Sequence, residues 1–314
     1  MDILHNPVIL FFIFGIFAGL IKSNLEIPQQ IVKFLSLYLL MSIGLKGGLA
    51  ISKAGLDADM ILTLALAIGS AIVVPIVSYQ FLKRFLNTFD AAAVSATFGS
   101  ISAVTFVTAN QYLDVAGIQY DNYMSAAMAL MESPAIIIGV MIANMNRSSY
   151  ADSTKRKLFK QSFVEGANLL LLASLLIGVV AGPVGYQVME PLTGDLFTGL
   201  LAFFLLDMGI QVAKHLPEVK DKNPILIAYA ILGPILHALA ALLVCYWLDI
   251  SLGNTVLLMV LSASASYIAV PAALKTAMPE AKPSVYLGLS LGITFPFNVI
   301  VGIPVYYALA NGVM

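Results

Sequence analysis

Two stretches concentrate residues able to bind a small ion: Phe98-Gly-Ser-Ile-Ser-Ala-Val-Thr105 and Leu261-Ser-Ala-Ser-Ala-Ser-Tyr-Ile-Ala-Val-Pro271. Each lies near the middle of a long apolar run, yet carries small and hydroxyl residues where Leu, Ile or Phe would be expected. If each run is a helix broken at its centre, the second half-helix begins with N–H groups that lack partners and carry partial positive charge. Pro271 suits such a first turn, where its missing N–H costs nothing. A small anion fits between two such ends. Gly99, Ser100, Ser102, Ala103, Val104 and Thr105 are therefore candidate substrate-binding residues, together with Ser264, Ser266, Tyr267 and Ala269. Their hydroxyls can complete the anion's coordination or hold a small cation. Close helix packing through small residues is the alternative reading.

Two acids, Glu132 and Asp207, also lie deep in apolar runs, where an ionised carboxylate is costly and marks a functional candidate. Glu132 precedes Ser133-Pro134, and the proline frees a carbonyl one turn earlier. Carboxylate and carbonyl oxygens suit a hard cation, so Glu132, Ser102 and Thr105 are candidate Na+ ligands. Proton carriage by either acid, or a neutral hydrogen-bonded role, stays open. Asn298, beside Pro296, completes the candidate coupling set with Glu132 and Asp207. Lys46, near the end of its run, is expected to snorkel to water, with pairing to an intramembrane acid as the alternative. Tyr267 either gates or lines the site, or packs. The single cysteine, Cys245, excludes an intrachain disulfide, and His5, His215 and His237 are too scattered for a metal cluster. No nucleophile–base pair stands at usable spacing, so neither an enzyme nor a cofactor beyond a coupling ion is expected.

The elements that must position these residues follow from composition. The chain is 60% hydrophobic and 11% charged, with a mean hydropathy of +0.94, far from the even balance of a soluble domain. It is an all-α polytopic membrane protein, and its 314 residues hold about ten spans of roughly 20–25 residues. The expected spans are Pro7–Ile21, Ile27–Ile51, Met60–Leu82, Ala91–Leu113, Tyr123–Met145, Gly166–Ala181, Leu196–Ala213, Pro224–Trp247, Asn254–Leu274 and Val285–Ala310. The start at Met1 has no basic region and reads as the lead into the first span. With both termini outside, all of the 16 Lys and Arg residues except Lys46 and Lys53 fall on the inside, as the positive-inside rule requires. The polar segment 146–165, with Lys155-Arg-Lys157, becomes a basic cytoplasmic loop.

The halves match weakly at an offset of about 164 residues. Met41-Ser-Ile-Gly-Leu-Lys46 answers to Leu206-Asp-Met-Gly-Ile-Gln211, Ser100-Ile-Ser102 to Ser264-Ala-Ser266, and Glu132-Ser-Pro134 to Thr294-Phe-Pro296. Five spans per repeat is odd, so residues 1–145 and 166–314 are expected to form two inverted repeats, with discontinuous helices four and nine crossing at the midplane.

These residues resemble the sodium-dependent bicarbonate transporter family of cyanobacteria and other bacteria. The resemblance runs over nearly the whole chain and is carried by Ser42-Ile-Gly-Leu-Lys-Gly-Gly48, by Phe98–Thr105, by Met131-Glu-Ser-Pro-Ala135 and by Ser264–Ser284 with Pro271, Pro279 and Pro283. It implies ten spans in two inverted repeats, a core and a gate bundle drawn from both, a homotrimer, and uptake of bicarbonate with sodium where spans four and nine cross. A PII-like cytoplasmic regulator is a further expected partner, although the 146–165 loop is shorter than in cyanobacterial members. The chain departs from the pattern at Ala103 and Val104, where the family has Gly-Ser, and at Tyr267, where it has Asp. Ala269 and Val270 replace its Ser-Gly, and Glu132 replaces its Asp. Asp207 and Lys46 stand apart from the pattern altogether.

The expectation is a secondary active transporter of the bacterial plasma membrane that imports a small anion, bicarbonate first, coupled to sodium by alternating access. Alternatives are the same fold with another small organic anion or proton coupling, and a non-transporting membrane sensor or scaffold.

Overall fold

The computed structural model describes residues 7–54, 58–145, 166–220 and 223–314, and among these it is helical with no strands. The basic segment 146–165 and His5 lie outside the described residues. In order, the helices are α1 (Pro7–Leu20), α2 (Gln29–Ala54), α3 (Ala58–Leu82), α4 (Thr88–Gly99), α5 (Ala103–Ala116) and α6 (Met124–Met145), followed by α7 (Gly166–Glu190), α8 (Phe197–Lys220), α9 (Pro224–Trp247), α10 (Leu252–Ala263), α11 (Ala269–Ala277) and α12 (Pro283–Val313). Among the described residues, eight helices are long and apolar enough to cross a bilayer when α4 and α5 count as one; α1 and α10 are apolar but shorter, with 14 and 12 residues. Large apolar side chains face outward where lipid would lie, as at Val180, Val184 and Val188, spaced one turn apart on α7.

Local chemistry sets several ends. Asn87 caps α4 by accepting from the Asp90 N–H at 2.9 Å, which satisfies one orphan donor of the first turn. Gly117 ends α5 in the left-handed region (φ 71°), donating to the Asp114 carbonyl as a C-terminal cap does. The sequence reading stops the sixth span at Ala181. Instead Gly182 takes φ 56° and ψ −161°, the helix kinks, and it continues to Glu190. α12 also departs from a regular helix, with widened turns at Ser290–Thr294 and Asn298–Gly302.

Packing sorts the helices into two bundles. In one, α1 lies along α8 and α2 along α7; in the other, α3, α4 and α6 pack together, as do α9, α10 and α12. The first bundle depends on close backbone approach. A Cβ on Gly209 would collide with the Phe12 carbonyl and crowd Gly15, and one on Gly48 would collide with the Leu175 carbonyl and crowd Gly178. Without a hydrophobic drive between helices in lipid, such small-residue contacts supply the dispersion energy that holds them. α2 and α8 face α6 and α12 along the boundary between bundles, where the Phe12 and Phe295 rings meet edge to face at 5.3 Å.

Candidate functional site

Both hydroxyl-rich runs are interrupted, and the interruptions meet. Between α4 and α5 the backbone is extended at Ser100 (φ −94°, ψ 177°) and Ser102 (φ −110°, ψ 110°); after α10 it is extended at Ser264 (φ −79°, ψ 166°). The Ser266 N–H donates to the Thr97 carbonyl at 2.9 Å, and the Ser102 N–H donates to Ser264 Oγ at 3.1 Å. Unpaired backbone has no partner in hydrocarbon, so loosened chain at this depth needs such bonds or a polar cavity.

One serine stands before each new half-helix. Ser102 Oγ accepts from the Thr105 N–H at 3.2 Å and pairs with Thr105 Oγ1 at 2.9 Å; Ser266 Oγ accepts from the Val270 N–H at 3.2 Å. Ser264 donates to the Leu261 carbonyl at 2.8 Å, satisfying part of the α10 terminus. With these bonds made and Pro271 lacking a donor, Ala103 and Val104 of α5 and Ala269 of α11 keep first-turn N–H groups with no acceptor in their own helix.

A cavity of about 40 Å³ lies against the crossing, on the boundary between the bundles. A single water needs roughly 10–15 Å³ by the same measure, so the space suits a small polyatomic ion. Its walls include Ser102, Ala103, Val104, Ser266, Tyr267 and Ala269 from the two breaks, and Glu132 from α6. The Tyr267 ring is held against Phe295, 4.9 Å between centroids. Among the described residues, Glu132 is the one acid in this wall.

Other expected site residues stand elsewhere. Gly99 faces Pro75 of α3, where a side chain would clash. Ser100 is fully buried at the end of α4, its Oγ has no hydrogen-bond partner, and it does not reach the cavity wall. Thr105 and Ser264 sit behind the wall and shape it through their bonds to Ser102. Asn298 supports the crossing from α12: its Nδ2 donates to the Ala263 carbonyl at 2.8 Å, and its Oδ1 accepts from Tyr306 at 2.9 Å. Asp207 lines a separate, wide opening of about 1130 Å³ with Lys33 and Gln211, and Gln211 Nε2 lies 3.5 Å from its Oδ1. Lys46 is half-buried, with Nζ 4.5 Å from the centroid of the Phe197 ring. His237 lines an apolar cavity of about 410 Å³ between α3, α9 and α10, away from the crossing.

Sequence reasoning missed the opposite wall, formed by Ser36, Leu39, Leu40 and Ile43 of α2 with Phe204 of α8. The first four follow the i, i+3, i+4, i+7 spacing of one helix face. That signal is invisible in a helix apolar nearly all round. No curated protein matches the chain. The sequence does match the Na+-dependent bicarbonate transporter superfamily over residues 7–311, nearly its whole length, and the chain belongs to that family.

Proposed function

We propose that this protein is a sodium-coupled importer of bicarbonate that works by alternating access. The observation that carries the reading is the small cavity where two interrupted helices meet, lined by first-turn residues of both new half-helices, two serines of the breaks and one acid. In the proposed mechanism the anion lies against the N–H groups of Ala103, Val104 and Ala269, where partial positive charge meets it without a full cation. Sodium binds beside it through Glu132 and Ser102, with Thr105 behind the wall holding the Ser102 hydroxyl in place. Glu132 is a better coupling acid than Asp207, because it is the one in the cavity wall. Each ion shifts the balance between states only through unequal affinity for them.

Ten spans in two inverted repeats remain our reading of the architecture, and contacts support it. α4 and α10 are both 12 residues long and begin 164 positions apart, at Thr88 and Leu252. Phe12, Gly15 and Ile16 crowd Gly209, and Leu175, Gly178 and Val179, each 163 positions later, crowd Gly48. Exchanging the halves thus turns one helix pair into the other. By these contacts Gly209 answers to Gly48, one helical turn from the Gly44 suggested by sequence.

Access is uneven across the molecule. The wide Asp207 opening shares Ser36, Phe204 and Ile268 with the crossing cavity; on the Lys46 side lies a smaller, more enclosed cavity of about 130 Å³. If Lys33 is cytoplasmic, as charge placement suggests, this is an inward-facing state. The bundle of α1, α2, α7 and α8 is the proposed gate and the remainder the core, in a homotrimer of the bacterial plasma membrane with both termini outside. Docking of a PII-like regulator on the cytoplasmic side is a family expectation carried into this reading.

The test is uptake of labelled bicarbonate into proteoliposomes with and without an inward sodium gradient. Sodium-driven accumulation is expected. Sodium-independent uptake that tracks a pH gradient would overturn the coupling, and saturable binding without flux would favour a sensor.

A further inference from the structure

Three cavities lie in series along the boundary between the bundles, and apolar residues stand between them. Ile43 of α2 and Val107 of α5 line both the crossing cavity and the smaller cavity on the Lys46 side. On the other side, Phe204 of α8 and Ile268 at the break before α11 line both the crossing cavity and the wide Asp207 opening, with Ser36 beside them. Each side thus carries an apolar pair, one residue from each bundle. Ile43, Val107 and Phe204 sit within helices, whose backbone is sheathed by side chains, so it is their side chains that meet the cavities.

The two pairs are related by the repeat. In the register set by Gly48 and Gly209, Ile43 and Phe204 are counterparts, each five residues before its glycine. Three residues further on, Lys46 lines the smaller cavity and Asp207 the wide opening. The wide opening also takes Lys33 from the start of α2, and the smaller cavity takes Thr198 from the start of α8, so the two helices pass the crossing in opposite directions. Apolar residue and then charge follow in the same order toward opposite mouths. From Ile43 to Lys46, as from Phe204 to Asp207, the helix rises about 4.5 Å, so each apolar seal is roughly one turn deep.

The seals differ in state. Ile43 and Val107 are 4% and 2% exposed, whereas Ile268, which lines the wide opening, is 40% exposed. An apolar pair offers an ion nothing in place of its water, and a closed apolar constriction stops ions by dewetting. It also makes no hydrogen bond or ion pair across the boundary, so a sliding bundle parts it for the loss of dispersion contacts alone. We propose that Ile43 with Val107, and Phe204 with Ile268, are the two dehydrating barriers of the transport cycle, the first shut in this state and the second uncovered at Ile268. The proposal rests on the alternating-access reading above and not on the identity of the cargo.

The test is labelling of single cysteines by a charged, membrane-impermeant thiol reagent added to one face of oriented membrane vesicles. The background is Cys245→Ala, which removes the one native cysteine. Without sodium or bicarbonate, Ile268→Cys should react from the Lys33 side alone, and Ile43→Cys and Val107→Cys from neither side. A second measurement follows efflux of labelled sodium from preloaded proteoliposomes in the absence of bicarbonate. Ile43→Ser, which puts a hydroxyl into the closed seal, should raise that leak by about tenfold or more, while the apolar Ile43→Leu should keep it tight. Ile43→Cys labelled as fast as Ile268→Cys, or Ile268→Cys labelled from the Lys46 side, would overturn the assignment. So would equal leaks through Ile43→Ser and Ile43→Leu. If Ile43→Ser fails to fold, the cysteine labelling decides alone. Absence of bicarbonate uptake by wild type would overturn the transport reading, whereas lost sidedness of labelling with uptake intact would overturn the barriers alone.

Discussion

Ser100 and Ser102 stand two residues apart in the same break, both buried, and the structure assigns them opposite consequences. Ser102 Oγ accepts from the Thr105 N–H and pairs with Thr105 Oγ1, capping the half-helix whose first residues, Ala103 and Val104, line the cavity. Removing such a cap costs about 1–2 kcal/mol, a factor of roughly 5–30 in an equilibrium. If the lost order falls on the Ala103 and Val104 amides, Ser102→Ala should raise half-saturation for bicarbonate by about 5–30-fold. Ser100 Oγ has no partner and lines no part of the cavity. Deleting an unsatisfied buried hydroxyl is close to neutral or stabilising, so Ser100→Ala should stay within about twofold of wild type. The assay is the initial rate of labelled bicarbonate uptake into proteoliposomes at fixed sodium, normalised to inserted protein. Equal losses at the two serines, or an unchanged Ser102→Ala, would refute the reasoning.

Glu132→Gln should raise the sodium concentration for half-maximal uptake; if only the amount of folded protein changes, the acid is structural. Asn298→Ala removes the donor to the Ala263 carbonyl and the acceptor for Tyr306. It should lower thermal stability and maximal uptake while leaving the sodium dependence unchanged, and a shifted sodium curve would instead place Asn298 at the ion. Gly48→Leu drives a side chain into the Leu175 backbone and should destabilise the detergent-solubilised protein by about 1–3 kcal/mol or more. Gly69→Ala, with nothing within 4 Å of the added methyl, should be neutral or stabilise α3 by up to about 1 kcal/mol. Melting curves that do not separate these two glycines would contradict the packing described for α2 and α7.

What could be read from sequence was what local composition dictates. Serines, alanines and a proline in the middle of apolar runs mark broken helices, because nothing in lipid satisfies loose backbone there; the breaks fall at Ser100–Ser102 and Ser264–Ile268. Glu132, which lines the cavity, could be singled out from sequence because burial of a carboxylate needs a reason. Asp207 met the same criterion yet lines the wide opening, since depth along a helix does not say which face turns toward the crossing. The α2 wall was hidden because a membrane helix shows little contrast between its lipid and protein faces. The helix of the sixth span runs on past Ala181 because a glycine able to adopt φ 56° lets the chain bend and restart. Each widened turn of α12 stands just before a proline, Pro296 or Pro304, whose missing N–H breaks the regular helical bonding.

The most direct test is the structure of the protein reconstituted with sodium bicarbonate, at a resolution that shows small ions. Density is predicted between the two breaks, within hydrogen-bond reach of the Ala103, Val104 and Ala269 amides, with a second feature beside Glu132. An empty crossing in a preparation that transports bicarbonate, with the anion bound elsewhere, would contradict the account.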